Sequence, residues 1–201
     1  MTSPASDASD EALAKRAAVR DDAAFETLVT RYQHRVYRLA CRLTSETDAP
    51  DILQETFLLV HRHIPAFRGE SRFSTWLYRI ATNAALMHRR AQARRPTESL
   101  DALLPRFDAD GRHRLHPEAL QVVSRIDELL DHETLAREAK VAIDQLPDLY
   151  REAFVLRDLE QLSTEEVAEI LGVEPPAVRQ RIHRARLLMR GYLSHVMGVE
   201  P

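Results

Sequence analysis

The chain has 201 residues, 44% of them hydrophobic and 29% charged, with a formal net charge of −3, which fits a globular protein with its own core. Five glycines argue against a turn-rich β-protein, the lone Cys41 rules out an internal disulfide, and no run of about 18 apolar residues offers a membrane-spanning helix. Length alone allows one large or two small domains. The amino terminus, MTSPASDASDEALAKR, is small and polar and lacks the apolar stretch of a secretory signal, so a cytoplasmic location is expected and residues 1–20 are read as a flexible tail.

From Phe25 the apolar residues Phe25, Leu28, Val29, Tyr32, Val36, Leu39, Ala40 and Leu43 follow the spacing of one helix face, with Cys41 expected as a small core residue. TSETDAPD breaks that helix. Asp48 is placed to cap the next one, whose first turn tolerates Pro50 because the amide there has no intrahelical partner to lose. Leu53, Phe57, Val60 and Ile64 are expected to form its buried stripe. Asp51, Glu55, Leu58 and Arg62 share its other side. Such a face is either solvated or the dock for a partner helix, and spacing alone favours the solvated reading.

PAFRGESRFS follows, a loop by its proline, glycine and serines, yet it carries Phe67 and Phe73 beside arginines. Aromatics so placed either pin a loop to the core or stack on something. Ser74 is expected to cap a third helix from Trp76 to Arg90, with Trp76, Ile80, Asn83 and Met87 in line. Asn83 is either a satisfied half-buried amide or a hydrogen-bonding head on an exposed rim. LMHRRAQARR, with Arg89 and Arg90, contains no acid. Residues 96 to 132 change character: prolines and a glycine punctuate an acidic background, and eight acids against four arginines between 96 and 131 read as a linker.

Helical periodicity returns near Leu135, and Pro147 divides two segments. Ser163 and Glu166 have capping-box spacing ahead of a short apolar face, and Gly172 suits the left-handed turn that ends a helix. Residues 178 to 190, VRQRIHRARLLMR, then hold five arginines and one histidine and no acid. At about 100° per residue, Val178, Ile182, Ala185 and Met189 form a narrow apolar stripe. Gln180, His183 and Arg184 oppose it, with Arg179, Arg181 and Arg186 on the flanks. A short capped helix, a glycine turn and a basic amphipathic helix make the sequence form of a helix-turn-helix, with donors for base edges and lateral cations for phosphates.

DAPDILQETFLLVHRHIPAFRGESRFSTWLYRIATNAALMHRR, and after the linker LPDLYREAFVLRDLEQLSTEEVAEILGVEPPAVRQRIHRARLLMR, resemble the extracytoplasmic-function (ECF) sigma factors of bacterial RNA polymerase. The resemblance implies an all-α chain of two small helical domains, 21–95 and 133–197, joined by the 96–132 linker, with no enzymatic activity and no cofactor. It turns the face bearing Asp51, Gln54, Glu55 and Leu58 into the surface for the clamp helices of the largest polymerase subunit, against the solvated reading. It places the flipped base of the −10 element at the loop residues Phe67, Arg68, Gly69 and Ser71. It makes Asn83 a base reader, Arg89 and Arg90 backbone contacts, and Trp76 core packing beneath the loop. Arg179, Gln180, Arg181, His183, Arg184 and Arg186 would face the −35 element. Implied partners are core RNA polymerase, promoter DNA and an anti-sigma factor, with no small-molecule substrate. Pro50 stands where an acid is common in the family, His61 where a tryptophan is frequent, and Ala177 where a threonine often begins the recognition helix. The linker is long for the group, and either threads a basic polymerase channel or acts as a disordered tether.

No P-loop, nucleophile elbow or metal-ligand cluster competes, and His61 with His63 or His113 with His116 lack further ligands for zinc. Two rival readings are a free-standing helix-turn-helix regulator, which leaves the basic aromatic loop and acidic face unexplained, and an interaction module in which the arginine faces are incidental.

Overall fold

The computed structural model describes residues 8–92 and 133–196; the expected linker lies outside them. Among the described residues there are eight α-helices and no strand, in two compact units. Helices α1 (Asp10–Ala18), α2 (Asp22–Leu43), α3 (Ala49–His63) and α4 (Phe73–Gln92) build the first. Helices α5 (Glu133–Gln145), α6 (Asp148–Phe154) and α8 (Pro175–Val196) build the second, together with the body of α7 (Thr164–Leu171).

Helix α1 corrects the expectation of a flexible tail at 1–20 over Asp10–Ala18; residues 1–7 lie outside the described residues. Ser9 caps it by accepting from the Ala12 amide at 3.2 Å, acids fill its first turn and Lys15 and Arg16 its last, as the helix dipole favours. Leu13, Ala14 and Ala17 are buried against α2 and the turn before α4. The stripe is three residues long, two of them alanines, and is lost in a polar sequence, which is why periodicity missed it. Asp21 then caps α2 through the Ala24 amide and also receives Arg16, so one carboxylate closes the α1–α2 corner. Both bonds hold its pKa below the ordinary range, the amide contributing most.

The α2 stripe is as expected, with Ala24, Leu28, Tyr32, Val36, Leu39, Ala40 and Leu43 buried; Phe25, Val29 and Cys41 are only half-buried. In α3 the buried line is Ala49, Ile52, Thr56 and Val60, one position away from the expected Leu53 and Phe57. Thr56 disguised it: a threonine reads as polar, but its hydroxyl bonds the Ile52 carbonyl at 2.7 Å and can be buried without loss. Asp48 occupies the N-cap position of α3 but does not cap it with its side chain. The Ser45 hydroxyl accepts from the Asp48 amide, while the Asp48 carboxylate takes Ser45 at 2.6 Å, His88 at 3.2 Å and Gln92 at 3.1 Å, fastening the start of α3 to the end of α4.

In the second unit, Arg151 is 3% exposed and caps the end of α5, donating to the carbonyls of Ile143 and Leu146 at 2.8 Å each and to that of Asp144. A cation at the negative end of a helix is favourable, and it supplements the single Leu146 amide, at 3.1 Å, that reaches the Ile143 carbonyl there. Helix α6 runs into a widened π turn, Val155–Leu159, closed by the Glu160 amide on the Val155 carbonyl at 2.9 Å. Helix α8 packs on α5 and α6.

Candidate nucleic-acid and polymerase interfaces

The capping box predicted for α7 is present in both directions. The Glu166 amide donates to the Ser163 hydroxyl at 3.1 Å and the Ser163 amide to the Glu166 carboxylate at 2.9 Å. Gly172 ends the helix at φ +64°, and the Val173 amide reaches the Ala168 carbonyl at 3.0 Å, the six-to-one bond of a Schellman turn. Glu174 accepts the first amides of α8, and Pro175 and Pro176 occupy positions that lose no helical bond.

On α8, Val178, Ile182, Ala185 and Met189 are buried, as the angular reading required, and Leu187, Leu188 and Leu193 extend the buried face. Arg179, Gln180 and His183 are exposed, and Arg181 and Arg184 are half-buried. Arg186 departs from expectation. Its guanidinium grips the carboxylate of Asp158 in the π turn with two bonds, 2.8 and 2.7 Å, which raise its pKa further. Arg186 is therefore committed inside the unit as a brace between the π turn and α8. Sequence could not show this, because its acid lies 28 residues away.

In the first unit, α4 begins at Phe73, with the Trp76 amide on the Arg72 carbonyl, so Ser74 sits inside the first turn and not at its cap. Phe73 is fully buried. It anchors an aromatic cluster: Phe67 lies edge-on to Phe73 at 5.9 Å and tilted against Trp76 at 5.1 Å, while Tyr32 meets Phe73 at 5.6 Å. Arg68, Gly69 and Glu70 project into open space, Gly69 at φ +74°, and Ser71 is half-buried. The loop is thus pinned at its aromatic foot and open at its tip. Arg68 and Glu70 approach only to 4.0 Å and are largely exposed, a pair of little energetic weight.

The line Trp76, Ile80, Asn83 and Met87 is not the core stripe of α4. Its buried residues are Phe73, Thr75, Leu77, Tyr78, Ala81, Thr82, Ala84 and Ala85, with two threonines again disguising the face. Asn83 is exposed and Met87 is 66% exposed, leaving an outward strip of amide and thioether. Arg90 is exposed, whereas Arg89 is half-buried and donates to the Leu43 carbonyl at 3.1 Å, tying α4 to the end of α2. Asp51, Gln54 and Glu55 are exposed on α3 with Leu58, itself 60% exposed, forming a contiguous acidic face with one apolar contact point. His61, in the place of the family's frequent tryptophan, packs its ring edge-on to Phe25 at 5.1 Å.

Residues 27 to 45 hold no acid and four arginines at helical spacing, 31, 35, 38 and 42, of which Arg35 and Arg38 are exposed on α2. Among the described residues no group of three metal-binding side chains occurs, and no helix is long and apolar enough to cross a membrane.

Two helical units, the second ending in a helix-turn-helix, make up the described residues. Residues 28–95 match the family Sigma-70 region 2 and residues 136–189 match Sigma-70, region 4. The ECF RNA polymerase sigma-E factors of Salmonella typhimurium and Escherichia coli K12 are each 41% identical to it over 179 residues, 88% of this chain and 90% of theirs. That of Haemophilus influenzae is 40% identical over 188 residues, 94% of this chain and 97% of its own. Among solved structures, CnrH in complex with the cytosolic domain of CnrY superposes with a TM-score of 0.64 at 26% identity, covering 92% of this chain and 97% of that one. The sigma factor RpoE of Bartonella quintana, at 21% identity and a TM-score of 0.60 over 85% and 96% of the two chains, shares the fold. The chain belongs to the extracytoplasmic-function sigma factors, and like them it is a transcription-initiation factor and not an enzyme.

Proposed function

We propose that the protein binds core RNA polymerase in the cytoplasm and directs it to promoters by reading two DNA elements in two physical states. Residues 133–197 form the module for the −35 element, which is read as intact duplex. Arg179, Gln180, Arg181, His183 and Arg184 face the groove and its phosphates. The observation that carries this reading is α8 itself, whose apolar stripe is wholly buried while its opposite side presents an amide, an imidazole and arginines. Arg186 is left out of that surface because Asp158 holds it.

Residues 21–95 form the module for the −10 element and for polymerase, with 96–132 as the connecting linker. A base leaving the stack costs a few kcal/mol, and stacking on an aromatic side chain returns about 1 to 3 kcal/mol. Phe67 offers such a wall, Arg68, Gly69 and Ser71 the rim, Asn83 a polar head on the exposed strip, and Arg90 a backbone contact. Arg89, with its bond to Leu43, contributes less than the sequence suggested. The energy still missing for melting comes from polymerase, held through Asp51, Gln54, Glu55 and Leu58. An anti-sigma partner that covers these surfaces would keep the factor silent; the support is that CnrH has been solved with the cytosolic domain of CnrY and the Bartonella quintana factor with the anti-sigma factor NepR.

Transcription with purified core polymerase on genomic fragments tests the proposal. Specific starts are expected only when the protein is added, and no start on any fragment would reject it. Asn83→Ala is expected to slow promoter opening while leaving duplex binding at the −35 element intact; permanganate footprinting of the −10 thymines measures the first and gel shifts the second.

A further inference from the structure

We infer that α1 is the positioning element of the base-capturing loop, acting through Asp10 and Tyr32 on Phe67; the inference deepens the proposed role of that loop and rests on it. The Asp10 carboxylate, in the first turn of α1, accepts the Tyr32 hydroxyl and the Arg31 guanidinium, the latter at 2.6 Å. Arg31 also donates to the Ala8 carbonyl at 2.8 Å, so α2 holds the start of α1 at two points. Tyr32 is buried, and its ring stands edge-on to Phe73, which stands edge-on to Phe67, which leans on Trp76. The side chains form one unbroken series from α1 to the foot of the loop. Helix α1 also packs on the Ile64–Ala66 turn that leads into the loop, so it touches the loop's support from two directions.

A core position that only needed filling would take phenylalanine at 32. The hydroxyl fixes the ring instead, because a buried phenol must keep its acceptor. Burial, and after it the Asp10 hydrogen bond, pushes the Tyr32 pKa far above its ordinary value, so the group remains a donor at every working pH. Ring pairs prefer particular edge and tilt geometries, and a rotation of Tyr32 is therefore passed to Phe73 and Phe67 and not absorbed. Asp10 and Tyr32 are positioning residues; neither meets DNA in this scheme.

Trp76 is the only tryptophan in the chain, so its emission reports on the Phe67 contact without DNA or polymerase. The full-length chain is compared with Tyr32→Phe, which keeps the ring and removes only the hydroxyl, and with Asp10→Asn. Acrylamide quenching of Trp76 is expected to rise in both. Promoter opening, followed by 2-aminopurine at the flipped position, is expected to fall by about tenfold, the equivalent of one lost charge-assisted hydrogen bond. Binding of core polymerase and of −35 duplex is expected to be unchanged. Wild-type quenching in both variants, even with a lowered Tm, would overturn the inference by reducing the Asp10–Tyr32 bond to a stability contact. Raised quenching with wild-type opening would overturn it equally. Phe67→Ala is the separate control: normal opening by that variant would remove the loop's proposed role, while the quenching result would still decide whether α1 sets the loop.

Discussion

Arg184 and Arg186 stand two residues apart on α8, yet Asp158 gives them different tasks. Two bonds to Asp158 take Arg186 out of the proposed reading surface, whereas the half-buried Arg184 remains in it. Arg184→Ala is expected to cost about 1 to 3 kcal/mol of discrimination between matched and scrambled −35 elements in competition gel shifts. Arg186→Ala is expected to leave that discrimination intact and to lower stability by about 0.2 to 1 kcal/mol in urea titrations, the range for a partly exposed ion pair. The angular arithmetic of the sequence put Arg184 opposite the apolar stripe and Arg186 on its flank; in the fold Arg184 is half-buried and Arg186 is exposed but bound to Asp158. It had no access to Asp158, since a partner from a distant turn leaves no mark on local spacing.

Among the elements, those whose signals are local were legible and those whose faces are built from threonine or alanine were not. The capping box of α7 and its glycine stop follow from residue types at fixed offsets, and both formed as read. Gly172→Ala should therefore strain the turn at φ +64° and destabilise the protein by about 1 kcal/mol in thermal melts, although nothing crowds the added methyl. The stripes of α3 and α4 were misplaced because Thr56, Thr75 and Thr82 read as polar and lie in the core. Asp48 was placed at the right boundary with the wrong partner, because the sequence cannot bring α4 to it. Ser45 chiefly, then Gln92 and His88, hold its pKa below the ordinary 3.8. A depressed carboxyl stabilises the fold above its unfolded pKa and loses that contribution as pH falls through the lower folded value. Asp48→Asn is accordingly expected to lower Tm near neutrality and to flatten its decline below about pH 4, measured by circular dichroism across pH.

At the scale of the whole molecule, the net charge of −3 conceals separated faces of opposite sign. The acidic side of α3 and the basic ridge of α8 meet different partners in the proposed assembly, so they should fail independently. Glu55→Lys is expected to abolish polymerase capture in pull-downs at low salt while leaving −35 duplex binding at wild-type strength. Duplex binding should in turn weaken as salt rises, since each neutralised phosphate contributes a slope of about −0.9 in log K against log salt. The two-domain plan was legible because two long motifs resemble one family in order and spacing. The division of arginines into contacts and braces, and the reach of α1 toward the loop, depend on tertiary neighbours and emerged only with the fold.

The guanidinium of Arg151 closes the end of α5 beneath the platform on which α8 rests. Its planar fork serves three carbonyls at once, a geometry that a lysine ammonium cannot reproduce. In the proposed assembly α8 would thus be supported from behind by a cation sealed away from solvent, on the side opposite the residues proposed to meet the promoter. On that reading, the outward side chains of α8 can change with promoter preference while this concealed support stays in place.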